Sequence, residues 1–308
     1  MRVGVVDIGT NTTRMLAAEV DPGGELRELD RRTTITRLGQ GVERSGRLAD
    51  EAMARVEAVV AVYRAALDEL RPEREIAVLT SAVRDAANGE QFRERLRDRY
   101  GLDARTLSGD EEALYTFLGA SHERAAEPQE VLLVLDIGGG STEYVLGRGG
   151  EVAFHVSTPL GSVRHTERHL HTDPPTDAEL RSCAADVSAV IETSLPAGVL
   201  AGTDHAVAVA GTATTLAAID QDLLTYDPER VHGYVLSIEA CRRILAFLAA
   251  LPLAEREKVT GLLPERAPTI VAGAIILVVS LEVFGRDRVE VSEHDILHGA
   301  ALTAAREA

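Results

Sequence analysis

Residues 3–17, VGVVDIGTNTTRMLA, and residues 132–146, LLVLDIGGGSTEYVL, are the two stretches whose reading decides the fold. Aligned without gaps, Asp7 meets Asp136, Ile8 meets Ile137, Gly9 meets Gly138, Thr12 meets Ser141 and Thr13 meets Thr142. Each copy reads as an apolar strand, a D-I-G turn with small hydroxyl residues, and a second apolar strand. The copies lie 129 residues apart, close to one domain length. We therefore expect two related lobes, residues 1–124 and 125–308, each opening with the same hairpin, and a C-terminal helix at about 296–308 able to pack back on the first.

Outward from these hairpins the pattern alternates. Met53, Val56, Val60, Tyr63, Leu67 and Leu70 predict a helix over 50–70, 75–80 is strand-like, and Asn88 is placed to cap a helix reaching Tyr100. A strand at 104–107 and a helix at 110–123 follow. The second half predicts strands at 131–135, 142–146, 152–156, 206–210 and 289–291. Its helices are expected at 162–170, 176–193, 213–220, 237–251, 268–284 and 293–307. Mixed elements without long linkers imply an α/β protein with a cleft between lobes, the stretch Glu123–Gln129 crossing from one to the other.

Composition narrows the function. A chain of 308 residues can bury two cores without disulfides or structural metal. A net charge of −17 argues against a general binder of nucleic acid or acidic membrane. An anionic substrate stays open, since an Arg cluster or a bound cation can reverse the field locally. Lys258 is the sole lysine, which nearly excludes a phosphate-binding Lys motif. Cys183 and Cys241 lack metal or disulfide spacing and fit a reducing cytosol. The N-terminus has no signal-like stretch, and the longest apolar run, 270–281, is too short to span a bilayer; the expectation is a soluble cytoplasmic protein.

Several segments could carry chemistry. The D-I-G loops offer backbone N–H groups, close approach at glycine and hydroxyl donors, the features that bind phosphate, with an Asp able to hold a cation. Gly211-Thr212-Ala213-Thr214-Thr215 follows a strand and opens a helix, a further anion site or a plain turn. Ser108-Gly109-Asp110-Glu111-Glu112-Ala113 reads either as a helix cap with matching acids or as the setting of a general base, Glu112. Arg84 could clamp phosphate or form a surface ion pair. His165 with His169, and His294 with His298, share i, i+4 spacing. H-T-E-R-H lacks the Glu of a zinc-protease helix, and Arg164, Glu167 and Arg168 point to a solvated or anion-facing surface there.

In combination and order, the two DIG loops, SGDEEA, TSAVRDA, TPLGSVR, AGTATT, VHGY and VSEHDILHG resemble the exopolyphosphatase/guanosine pentaphosphate phosphohydrolase (Ppx/GppA) family along nearly the whole chain. The resemblance implies two actin-like, ribonuclease-H-like lobes of the ASKHA superfold with the active site in the interlobe cleft, Mg²⁺ or alternatively Mn²⁺ as cofactor, and a homodimer. It puts the catalytic Glu on Glu112 and metal-ligating acids on Asp7, Asp136 and Glu143. Phosphate-binding positions fall on Gly9, Thr10, Asn11, Thr12, Arg84, Gly138, Gly139, Gly140, Ser141, Thr142, Gly211 and Thr212. Thr10 and Thr12 stand where the family commonly has Ser, and Leu297-His298-Gly299 stands where it often has Arg-Glu-Gly. Longer members continue into a helical half, and this chain is expected to be the catalytic core alone.

The expected activity is removal of terminal phosphate from inorganic polyphosphate. Aromatic content of 4% and no Trp weigh against stacking a guanine, so pppGpp hydrolysis to ppGpp is the alternative substrate reading. The negative charge and few anion-binding groups predict a preference for short chains. A sugar or acetate kinase of the same superfold, a non-catalytic sensor of ppGpp or polyphosphate, and an actin-like filament protein are the rivals. No nucleic-acid or membrane partner is expected.

Overall fold

The computed structural model describes residues 1–122, 130–200 and 202–306. The chain divides into two compact units, Met1–Gly119 with Ile296–Ala308, and Ala120–Asp295. Glu123–Gln129, expected to cross between lobes, lies outside the described residues.

The first unit holds strands β1 (Arg2–Ile8), β2 (Thr12–Val20), β3 (Leu26–Ile35), β4 (Arg74–Leu79) and β5 (Ala104–Thr106) in the order β3-β2-β1-β4-β5. β1, β2 and β3 are antiparallel neighbours, while β4 and β5 run parallel to β1. This is the ribonuclease-H-like arrangement. Both faces of β1 are covered, which explains its unbroken apolar run. Val6, Ile8, Met15 and Ala17 pack with the helix Asp50–Leu70 through Met53, Val56, Val60 and Leu67. On the other face Val3, Val5, Leu16 and Ala18 meet Leu297, Ala300, Ala301 and Ala304 of the helix Ile296–Arg306.

The second unit holds β6 (Leu132–Ile137), β7 (Thr142–Arg148), β8 (Glu151–Thr158), β9 (His205–Val209), β10 (Val235–Ser237) and β11 (Arg288–Val291), ordered β10-β11-β9-β6-β7-β8. Its hairpin and third strand are again antiparallel, and β9 pairs parallel with β6 as β4 does with β1. The longest apolar run becomes the helix Ile270–Val283, buried all round from Ile270 to Leu281. A helix apolar on every side belongs in a core, and among the described residues no helix is long and apolar enough to cross a membrane.

Sequence reading missed β3 and β10. β3 (LRELDRRTTI) carries charge along most of its length and is half-exposed at the sheet edge, so it shows little apolar periodicity. β10, at the opposite edge of the second sheet, is three residues long. Asn88 sits at the expected helix start but caps nothing with its side chain. Its amide instead bridges Leu48, accepting from Leu48 N at 2.8 Å and donating to Leu48 O at 3.0 Å. His294 precedes the helix that begins at Ile296, so His294 and His298 do not share one helical face.

Candidate active site

In the first unit the D-I-G turn closes on itself, Gly9 N donating to Thr12 O at 2.9 Å. The Asn11 carbonyl accepts from Thr36 N and Arg37 N. The Thr10 hydroxyl is spent on the next segment, 2.9 Å from Ser81 Oγ and accepting from Ala82 N at 3.2 Å. That contact seats the short helix Ser81–Asp85, which carries Arg84. Asp7 is buried and its Oδ2 accepts from Arg14 Nε at 2.9 Å and Nη2 at 2.6 Å. A cation at Oδ2 would compete with that arginine.

The segment Ser108–Ala113 divides its two readings between neighbouring acids. Ser108 Oγ accepts from Glu111 N at 3.2 Å while Glu111 Oε2 accepts from Ser108 N at 3.0 Å, a capping box. Glu111 is thus the helix-start acid. Glu112, one residue on, is 4% exposed and accepts from Arg84 Nη1 at 2.8 Å. Burial pushes the Glu112 carboxyl above the ordinary glutamate range, and the Arg84 guanidinium pulls it part of the way back. A buried carboxylate raised in this way and oriented by the Arg84 guanidinium is suited to act as a general base.

In the second unit Gly138 N donates to Ser141 O at 3.0 Å, repeating the first turn. Its glycine carbonyls are taken up by the helix Ser162–His169. Ser162 N donates to Gly138 O at 3.0 Å, Val163 N to Gly139 O at 2.9 Å and Arg164 Nε to Gly140 O at 2.9 Å. Gly161 permits this seat: a Cβ there would stand 2.3 Å from Gly139 O. Its role in T-P-L-G-S-V-R was not singled out from sequence; the signal was a glycine immediately before a helix. Ser141 is buried, and Thr142 donates its hydroxyl to Leu160 O at 2.5 Å, which ties it to the scaffold.

Asp136 and Glu143 are direct cross-strand partners on β6 and β7, 9% and 6% exposed, with Glu143 Oε1 accepting from Ser157 Oγ at 2.8 Å. Two nearly buried carboxylates side by side repel. Their hard oxygens are the donor set of a divalent cation such as Mg²⁺ or Mn²⁺, and a cation removes the repulsion; the residues fit that ion. Asp7, the third expected ligand, belongs to the other unit.

The third loop leaves β9 at Val209 and turns through Ala210, whose φ of 65° is the left-handed conformation uncommon for a residue with a Cβ. The helix Ala210–Asp220 starts there, Gly211 faces the Arg266 guanidinium across the space a Cβ would fill, and Thr212 is buried. At the departure Leu297-His298-Gly299, His298 is buried with Nε2 2.9 Å from Glu28 Oε1. His165 is likewise fully buried, which corrects the expectation of a solvated surface at that pair.

The model of the Ppx/GppA phosphatase family matches residues 16–307. The chain is similar to exopolyphosphatase 2 of Mycobacterium tuberculosis, 39% identical over 99% of this chain and 98% of that protein. Among solved structures it is similar to the Aquifex aeolicus member of the Ppx/GppA family, with a TM-score of 0.83 and 33% identity over 100% and 98% of the two chains. An exopolyphosphatase from Cytophaga hutchinsonii matches with a TM-score of 0.90 and 25% identity over 100% and 98%.

Proposed function

The chain belongs to the Ppx/GppA phosphatase family and is by that membership a phosphoanhydride hydrolase, and from this premise we propose that it is an exopolyphosphatase, removing terminal orthophosphate from inorganic polyphosphate. The observation that carries the reading is Glu112, buried, raised and hydrogen-bonded to Arg84 at 2.8 Å. Glu112 accepts a proton from water as the water oxygen bonds to the terminal phosphorus. The bridging P–O bond breaks, its electrons staying on the shortened chain, and orthophosphate leaves. Arg84 keeps the Glu112 carboxylate oriented and offers its remaining N–H groups to phosphate oxygens.

Phosphate oxygens meet backbone and hydroxyl donors of Gly9 to Thr12, Gly138 to Thr142, and Gly211 with Thr212 in this reading. Gly9 N, Gly138 N and the hydroxyls of Thr10 and Thr142 already have partners in the scaffold, so these four act by shaping the loops. Asp136 and Glu143 would hold the divalent cation, with Asp7 as a further carboxylate; when bound, the cation offsets phosphate charge. The chain's net charge of −17 repels whatever part of a polyanion protrudes, so short polyphosphates are preferred. The reading also keeps a cytoplasmic homodimer, which fractionation and sedimentation velocity test.

The decisive assay is phosphate release from polyphosphates of graded length and from pppGpp, side by side with Mg²⁺. Release fastest from short polyphosphate is expected, with Glu112→Gln lowering kcat roughly 10²–10⁴-fold and leaving KM little changed. Activity should fall on the acid side at a pH above the ordinary glutamate range, because the ionised base is the active form and its pKa is raised. Turnover of pppGpp alone would replace the substrate, and near-normal turnover of Glu112→Gln would sink the mechanism.

A further inference from the structure

His165 and His169 lie four residues apart on the helix Ser162–His169, and Asp186 lies on the neighbouring helix Asp177–Ser194, all within the second unit. Asp186 Oδ2 is 3.4 Å from His165 Nε2 and 3.0 Å from His169 Nε2. The three donor atoms all fall within 4.8 Å of one another. Ligand atoms at the corners of a tetrahedral zinc site, with bonds of about 2.0–2.1 Å, stand about 3.3 Å apart. The two Asp–His spacings bracket that value, the shorter one being a hydrogen bond that an ion would replace, and the three atoms are close enough to converge on one ion.

A second observation points the same way. His165 is 0% exposed, and its buried Nε2 has no hydrogen-bond partner. A stranded polar atom in a native interior calls for an explanation. The other ring nitrogen, Nδ1, lies 3.3 Å from both Gly161 O and Gly161 N. Donating its proton to the Gly161 carbonyl leaves the Nε2 lone pair aimed at Asp186, the backbone support that orients metal-binding histidines. His169 Nδ1 is supported by Ser182 Oγ at 3.4 Å.

We propose that His165 Nε2, His169 Nε2 and Asp186 form a Zn²⁺ site in the second unit. Two imidazoles and one carboxylate make a borderline donor set that suits Zn²⁺ and not Mg²⁺. Asp186, with its side chain 32% exposed, is the entry side and leaves a fourth position for water. Arg168 Nη1, 3.6 Å from the same Asp186 oxygen, neutralises it in the metal-free protein and yields to the ion. The site is independent of the carboxylate pair assigned to the catalytic cation. It ties the helix that seats the second glycine loop to its neighbour, so occupancy stiffens that loop.

The test uses the full chain, stripped with chelator and kept in excess Mg²⁺ to fill the carboxylate site. Titration with Zn²⁺ is followed by calorimetry, and with Co²⁺ by visible absorption. One equivalent per chain and the intense spectrum of tetrahedral Co²⁺ are expected. His169→Ala and Asp186→Asn should each weaken binding more than roughly 10-fold, with circular dichroism unchanged. His165→Leu should remove the tetrahedral spectrum. No saturable binding in excess Mg²⁺, a weak octahedral spectrum, or binding retained by either His169→Ala or Asp186→Asn overturns the site.

Discussion

The two D-I-G hairpins share strand order, turn hydrogen bonds and register, yet they differ in charge at one pair of positions. Asp7 faces Arg14 across β1 and β2, and Asp136 faces Glu143 across β6 and β7. The first hairpin neutralises itself within its own strands. The second places two carboxylates opposite each other. One scaffold thus supplies an acid–arginine pair in the first unit and an acid–acid pair in the second, the pair proposed above to hold the divalent cation. A repeat can keep its geometry while a single residue on each copy divides the chemistry.

Four substitutions separate these roles. Arg14→Gln leaves Asp7 buried without its cation and should cost about 3–5 kcal/mol, read as a lower midpoint of denaturant unfolding. If stability is unchanged, the first hairpin is not locked by this pair. The glycines just beyond each third strand give the next contrast. A Cβ on Gly161 would meet Gly139 O at 2.3 Å and Gly140 C at 2.4 Å, whereas on Gly39 its nearest neighbour is the Thr10 Cγ2 methyl at 2.2 Å. Backbone cannot move aside, whereas the Thr10 methyl can if its hydroxyl gives up its bonds to Ser81 and Ala82. Gly161→Ala should cost roughly 1–3 kcal/mol and lower kcat, with Gly39→Ala milder in both. Equal effects would mean that both loops yield alike.

The smallest effect has the opposite sign. Glu143→Gln removes the like-charge pairing with Asp136, so without divalent metal it should raise the unfolding free energy by an amount on the order of 0.5–1 kcal/mol, read as a higher midpoint. With Mg²⁺ present the gain should vanish or reverse, because a ligand is lost, and the Mg²⁺ midpoint of activity should rise. A midpoint unmoved by Mg²⁺ in either protein would remove Glu143 from the metal site.

Much of this was legible in the residues. The gapless alignment of residues 3–17 with 132–146 already set Arg14 against Glu143, and the apolar strand runs placed the two sheets. The helices over 50–70 and 270–283 followed from side-chain spacing and apolar length. What stayed hidden was partner choice. Sequence named Glu112 as the candidate base but did not show that the cap reading of the same segment belongs to Glu111, since both acids open the same helix turn. Nor did it show that His165 is enclosed, because Arg164, Glu167 and Arg168 give the segment a polar local composition.

Local pattern determined the elements, the repeat and the turn chemistry, because backbone conformation and apolar periodicity are set by residues a few positions apart. The burial of Glu112 beside Arg84, the seat of the second glycine loop on Gly161 and the convergence of His165, His169 and Asp186 were decided only by tertiary structure. Each joins groups on different elements, separated by 28 residues for Arg84 and Glu112, and desolvation and hydrogen bonding act on distance in space, not along the chain.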